Sequence, residues 1–242
     1  LKKSSRVVTV SENNKSSLIS DFEIDEDKIW VVYEGIDLKY FEGLAESYSG
    51  ENSEVVDEWC PYILFLSTLY EYKNPDKVIK SVAKLKYEKN IPHNLLIVGK
   101  DPSDQIIRLK SIAKEEGIEE SVKFIGKVPF KEVGLFYKNA DVFVYPSFAE
   151  TFGLPPLEAM ACETPVVASN RTSIPEVVGN AGLLVDPTDI TEMANAIEKT
   201  LYDENMRKAL IKRGKERVNK FSWHKTAREL LNLLEEMVNS DS

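Results

Sequence analysis

From residue 61 to residue 185 the chain alternates strand-length apolar runs with stretches whose apolar positions repeat at helical spacing, a pattern few folds accommodate. Tyr62–Leu66 reads as a buried strand. Asn74, Pro75 and Asp76 then supply a capping side chain, a ring that pre-sets φ at the first helical position, and an acid in the first turn. Val78, Ile79, Val82 and Leu85 form the apolar face of the helix they open. Asn94–Val98 is the next strand, and Ile106, Ile107, Leu109, Ile112 and Ala113 mark a helix that Gly117 closes. Strands follow at 122–125, 142–145, 165–168 and 183–185, with helices at 130–138 and 157–162. Such alternation builds right-handed βαβ units and a parallel sheet. Six strands are the count of a doubly wound, Rossmann-like α/β fold, whose usual order 3-2-1-4-5-6 makes the first and fourth strands neighbours at a switch point. Ligands bind beyond the strand C-termini there, so the loops after Leu66 and after Tyr145 are the places to look.

The ends depart from this pattern. Residues 6–10, a helix to about Ser20, and residues 29–32 read as one more strand–helix–strand unit. Residues 43–57 are acidic, contain Gly, Ser and Asn, and read as a linker or surface loop. Two helical stretches follow Asp189, and Ser222 opens a last one to about Asn239. A length of 242 residues suits one large domain, or a domain with an appendage, and 43% hydrophobic residues allow a sizeable core. The net charge of −9 argues against nucleic acid as a partner. No apolar run approaches the roughly 20 residues of a membrane span, so no transmembrane segment is expected. The chain opens at Leu1 without signal peptide or initiator methionine, as expected of a piece of a longer chain. Cys60 and Cys162 match no metal-ligand spacing and read as reduced thiols of a cytosolic protein. Asn14-Lys15-Ser16 and Asn170-Arg171-Thr172 read as chance matches to the glycosylation pattern.

The loop after the fourth strand runs Pro146-Ser147-Phe148-Ala149-Glu150-Thr151-Phe152-Gly153-Leu154-Pro155-Pro156-Leu157-Glu158. Gly153 permits close backbone approach to a ligand, and Pro155 and Pro156 start a helix without wasting amide donors. A helix N-terminus aimed past the sheet edge is an anion site. Glu150 precedes that helix and Glu158 lies about one turn inside it, so both can face one crevice. Acids beside a phosphate site fit if they accept from ribose and hexose hydroxyls; the competing reading is a capping acid and a solvated helix acid. In the first loop, Ser67-Thr68-Leu69-Tyr70-Glu71-Tyr72-Lys73-Asn74, Lys73 can reach a phosphate from the opposite side of the switch point. Gly99 after the second strand, and Gly126, Lys127 and Val128 after the third, offer close ligand approach or are ordinary strand-to-helix turns. The absence of Gly-x-Gly-x-x-Gly and of a P-loop argues against a dinucleotide oxidoreductase and an NTPase. Asp25-Glu26-Asp27 lies in a charged turn, and His93 and His224 are isolated, so no metal site is expected.

Glu150 and Glu158, in a stretch that continues through Ala159-Met160-Ala161-Cys162, strongly resemble the signature of glycosyltransferase family 4. Thr164-Pro165-Val166-Val167-Ala168-Ser169, Ile174-Pro175-Glu176-Val177-Val178-Gly179 and Gly182-Leu183-Leu184-Val185-Asp186-Pro187 continue the likeness. Upstream, Val10-Ser11-Glu12 and Val32-Tyr33-Glu34-Gly35-Ile36-Asp37 look like that family's domain crossover. The resemblance implies the GT-B architecture of two Rossmann-like domains facing a cleft. This chain would be its C-terminal half: 1–36 the end of the N-terminal domain and the crossover, 37–220 the nucleotide-sugar-binding domain, 221–242 a return helix. It implies hexosyl transfer from a UDP- or GDP-linked hexose to an acceptor hydroxyl, with retention, without cofactor or bound metal, in polysaccharide biosynthesis.

Residue by residue, the resemblance places Glu150 by the donor sugar and Glu158 on the ribose. The backbone amides of Phe152, Gly153 and Leu154 would meet sugar and phosphate, Lys73 would stabilise the leaving diphosphate in place of a metal, and Gly99 and Val128 would flank the base. Ser67-Thr68 stands where the family often has Gly-Arg, so one phosphate-binding cation is missing and hydroxyls stand in for it. The missing N-terminal domain would supply the acceptor site and any peripheral contact with a membrane. The chain itself is expected in the cytoplasm, binding donor but transferring sugar poorly when alone. Two other readings stay open: a non-catalytic nucleotide-sugar-binding partner subunit, and a sugar-nucleotide epimerase on the same fold.

Overall fold

The computed structural model describes residues 4–46 and 52–240. It begins with β1 (Val7–Thr9), α1 (Glu12–Phe22) and β2 (Ile29–Val31). β1 and β2 pair in parallel as a two-stranded sheet of their own, Val7 opposite Ile29. Next come α2 (Leu38–Glu46) and α3 (Ser53–Trp59), which correct the expected linker over 43–57. Acidic residues mask an apolar spacing there: Val56 is fully buried and Trp59, one turn on, packs against the same core. The part of that linker at 47–51 lies outside the described residues.

The remaining elements are β3 (Tyr62–Leu66), α4 (Pro75–Lys89), β4 (Asn94–Val98), α5 (Gln105–Glu115), β5 (Val122–Gly126), α6 (Val133–Lys138), β6 (Val142–Tyr145), α7 (Leu154–Ala161), β7 (Val166–Ser169), α8 (Ile174–Val178), β8 (Leu183–Val185), α9 (Ile190–Tyr202), α10 (Glu204–Val218) and α11 (Trp223–Ser240). Strands β3 to β8 form one parallel sheet in the order β5-β4-β3-β6-β7-β8, the doubly wound order expected from the sequence. β3 and β6 adjoin at the switch point, Ile63 opposite Val142.

Successive strand residues feed opposite faces of the sheet. Tyr62, Leu64, Leu96 and Val98 join a core with Phe41, Val56, Phe136, Leu157, Met160 and Val177, under α2, α3, α6, α7 and α8. Ile63, Phe65, Leu95 and Ile97 join a core with Val78, Val82, Leu109 and Ile197, under α4, α5 and α9. Each such side chain stabilises the fold by about 1.5–3 kcal/mol relative to exposure. The four apolar positions assigned to α4 are all buried. In α5, Ile107 falls off the stripe set by Leu109 and Ala113 and is 73% exposed. The helix expected at 130–138 opens with a 3-10 turn, Phe130–Glu132, before α6.

Asn74 does not cap α4 with its side chain. Its backbone is left-handed, with φ of 65°, and its amide nitrogen donates to the carbonyls of Pro146 at 3.3 Å and Pro187 at 2.6 Å. The side chain is spent on pinning three loops at the C-terminal end of the sheet. At the end of the chain, α11 joins the segment after β2: the Thr226 hydroxyl donates to the Tyr33 carbonyl at 2.7 Å. A Cβ on Gly35 would lie 2.1 Å from the Trp223 nitrogen, so only glycine permits this approach. Among the described residues no helix is long and apolar enough to cross a membrane.

Candidate functional site

The loops after β3 and β6 bring Lys73 and Glu150 together across the switch point. Lys73 ends a 3-10 turn, Glu71–Lys73, and its Nζ donates to Glu150 Oε1 at 2.5 Å and to the Tyr145 hydroxyl at 3.2 Å. Tyr145, the last residue of β6, donates its own hydroxyl to the same carboxylate oxygen at 2.6 Å. Burial and the adjacent Glu150 push the Tyr145 phenol up, so it stays protonated as a donor. The ammonium also stands 5.1 Å from the Tyr72 ring centre, where the ring face favours a cation. With side chains 11% and 12% exposed, the Lys73–Glu150 pair is well shielded from water. The cation is already neutralised, so an anion arriving here competes with Glu150.

Between Glu150 and α7 the chain is fastened from several sides. The Glu150 amide donates to the Thr172 hydroxyl at 3.1 Å, and the Ser173 hydroxyl donates to the carbonyls of Glu150 at 2.9 Å and Phe152 at 2.8 Å. Thr172 holds a φ of 50°, uncommon for a β-branched residue and a mark of local strain. The Phe152 side chain is buried against Tyr33 and Phe221. Gly153 takes the N-cap of α7 with φ of 103°, and a Cβ there meets only ordinary contacts. The glycine is thus required by backbone conformation rather than by space, and no side chain caps the first-turn amides. Leu154 and the two prolines then open α7 towards the sheet edge.

Glu158, inside α7, is a buried carboxylate whose Oε2 accepts from the Tyr137 hydroxyl at 3.0 Å. Burial pushes its carboxyl up to about 7, against the opposing pull of that hydrogen bond. The crevice expected to hold both acids is divided. Glu150 borders an open hollow of about 480 Å3 with Asn13, Asn14, Ser17, Tyr72 and Thr172. Glu158 borders a more enclosed, apolar hollow of about 280 Å3 with Leu154, Asp37, Tyr40, Phe130 and Trp223. Tyr40 and Phe130 stack there, ring centres 5.2 Å apart.

Ser67 and Thr68 are half-buried at the end of β3. Gly99 adjoins them: a Cβ there would lie 1.7 Å from the Ser67 carbonyl oxygen. The close approach expected of a ligand at Gly99 is taken by the protein's own backbone. Val128 is half-buried and packs on the core beneath α6 and α7. Among the described residues no group of three or more His, Cys, Asp and Glu side chains is placed to hold a metal ion.

The residues that sequence reasoning missed are those that hold the site. The Glu176 carboxylate accepts from the amides of Glu12, at 2.8 and 3.1 Å, and Asn13, at 3.3 Å, at the N-terminus of α1. It also accepts from the Tyr33 hydroxyl at 2.6 Å. From the other side, the Ser11 hydroxyl and the Asn14 amide nitrogen donate to the Thr151 carbonyl, beside Glu150, at 2.8 and 3.2 Å. Glu176 stands in the Ile-Pro-Glu stretch of the resemblance, which was its only signal.

A doubly wound α/β sheet with a cation, a carboxylate and an open helix N-terminus at its switch point has the fold of the GT-B glycosyltransferases. The chain belongs to the family described as glycosyl transferases group 1, whose profile matches residues 51–217. It is 31% identical over 227 residues to the O-antigen chain mannosyltransferase B of Escherichia coli, over 93% of this chain and 59% of that protein. A sucrose-phosphate synthase structure from Thermosynechococcus elongatus superposes with a TM-score of 0.82 at 28% identity, covering 99% of this chain and 60% of that one. Anabaena HepE in complex with UDP-glucose superposes with a TM-score of 0.83 at 20% identity over 96% of this chain and 64% of that one, a likeness of fold alone. The chain spans between 43% and 60% of the length of the curated relatives it matches.

Proposed function

We propose that this chain is the C-terminal, donor-binding half of a retaining GT-B glycosyltransferase of family 4. It takes a hexosyl unit from a UDP- or GDP-linked hexose and passes it to an acceptor hydroxyl. Residues 37–220 form the donor domain, 1–36 the end of the other domain and the crossover, and 221–242 the return helix. The observation that carries this reading is the meeting of Lys73 and Glu150 across the switch point, beside the uncapped start of α7. A diphosphate laid over that helix start takes the Lys73 ammonium and the amides of Phe152, Gly153 and Leu154, which supply the positive charge a metal ion otherwise would. Glu150, released from Lys73, turns to the sugar hydroxyls. Glu158 accepts from the ribose hydroxyls once ionised, and Val128 borders the base, while Gly99 serves to pack the ends of β3 and β4 together. Ser67 and Thr68 hydrogen-bond the phosphate in place of an arginine.

The relatives support a hexosyl donor: one is named a mannosyltransferase and another was solved with UDP-glucose. The acceptor site, and any membrane contact, lie in the proposed N-terminal domain, while this half works in the cytoplasm. The neutralised Lys73 and the missing arginine favour one second reading, a nucleotide-sugar-binding subunit that does not transfer. A hydrolysis screen of the full protein across UDP- and GDP-linked hexoses, in EDTA, separates the two. Release of hexose from one donor, abolished by Glu150→Gln, is expected. Activity only after a divalent cation is restored would rule out the charge assignment to Lys73, and none under any condition would favour the binding subunit.

A further inference from the structure

Three aromatic side chains stand together in solvent at the C-terminal end of the sheet. Tyr70, Tyr72 and Phe148 are 42%, 44% and 38% exposed. The two tyrosine rings are nearly parallel, 12° between planes and 5.6 Å between centres. Their backbone is fixed. The Tyr70 amide donates to the Thr68 carbonyl at 2.8 Å, Lys73 to Tyr70 at 3.0 Å, and Phe148 to Tyr72 at 2.8 Å. The backbone segments that carry these rings on the β3 and β6 loops are therefore fixed relative to one another, which lowers the ordering cost of binding. They border an open hollow of about 560 Å3 whose rim is polar: Glu71, Ser103 and Gln105. Tyr72 belongs to two hollows at once, this one and the one that Glu150 borders.

We propose that Tyr70, Tyr72 and Phe148 form a saccharide platform, on which a pyranose ring of a glycan acceptor stacks next to Glu150. This rests on the donor-site reading and goes beyond it, because that reading leaves acceptor recognition to the other domain. The chemistry of the rim selects the ligand. A pyranose presents a face of C–H bonds to an aromatic ring and a girdle of hydroxyls at its edge, matching aromatic rings beside a carboxylate, a hydroxyl and an amide. An anionic membrane surface asks for a basic rim, whereas the charged rim residue is Glu71 and the chain carries a net charge of −9. An apolar peptide asks for a larger unbroken apolar patch.

Saturation-transfer NMR on the intact protein, with mannotetraose and maltotetraose as probes and UDP or GDP titrated into the same samples, tests this. At least one tetrasaccharide is expected to bind, with affinity lowered about fivefold or more in Tyr70→Ala and in Phe148→Ala. Tyr70→Phe should keep it, and the affinity for whichever of UDP and GDP binds should stay within about twofold throughout. Binding of neither probe, or binding indifferent to both alanine variants, overturns the platform while UDP or GDP binding leaves the donor site standing. Tyr70-dependent saccharide binding without binding of either UDP or GDP keeps the platform and sinks the donor reading instead. Saccharide-independent capture on phosphatidylglycerol vesicles that Tyr70→Ala abolishes identifies a membrane contact and also overturns the proposal.

Discussion

A carboxylate as buried as Glu158 costs stability whenever it is ionised. Its folded value of about 7 stands above the ordinary 4.5, so between those values the folded chain holds a proton that the unfolded chain has lost. The stabilisation from that proton is complete below about pH 4.5 and disappears as pH rises through 7. By pH 8 the cost of the ionised group is on the order of 3 kcal/mol. Glu158→Gln removes the charge and keeps an oxygen to accept from Tyr137. Urea unfolding should therefore find the variant more stable than the parent at pH 8, by roughly 2–3 kcal/mol, and close to it at pH 4.5. Equal stability at pH 8 would mean that the carboxylate is better solvated than its position inside α7 indicates. The same substitution should weaken nucleotide binding, and a residue that costs stability but holds a ligand is the usual trade of a working site.

The elements divide into those that the site needs and those that hold the needed ones still. Amides at the start of α1 donate to Glu176 in α8, and Ser11 and Asn14 fasten Thr151, so α1 is tied both to α8 and to the loop before α7. Hydrogen bonds to a charged acceptor contribute about 1.5–3 kcal/mol each. Glu176→Ala should accordingly speed hydrogen exchange at the Glu12 and Asn13 amides about tenfold or more, and leave β3 and β6 unchanged. Exchange unaltered at those amides would show that α1 is held by its apolar face alone. Such clasps were not legible in the sequence, because each joins residues more than a hundred positions apart. The sheet was legible, because central parallel strands are buried on both faces and read as continuous apolar runs. α2 and α3 were hidden by their acids, and Asn74 looked like a helix cap because nothing local announces the carbonyls of Pro146 and Pro187. The approach of Lys73 to Glu150 was legible through strand position, but the separation of Glu158 into a second hollow was not. Nor were Tyr145 and Tyr137, the donors to the two acids, since a tyrosine in an apolar run reads as core.

At the scale of the molecule, two features point outward. Among the described residues β1 and β2 make a sheet of two strands, which is marginal without support. α11 buries Leu233 but leaves Leu231, Leu234 and Val238 exposed. In the proposed reading an N-terminal domain would extend that small sheet and cover that helix. The proposed donor binding would need neither, because the switch-point loops, α7 and their clasps are all within this chain. In the same reading transfer would need the other domain, to hold the acceptor hydroxyl against the anomeric carbon and exclude water. The most direct test of the central claim is a calorimetric titration of this chain with UDP and with GDP in EDTA. One of them should bind in the high-micromolar range or weaker, about 4–6 kcal/mol, and at least about tenfold more weakly in both Glu158→Ala and Lys73→Met. Affinities unchanged by both substitutions, in variants that fold, would contradict the assignment of the donor site.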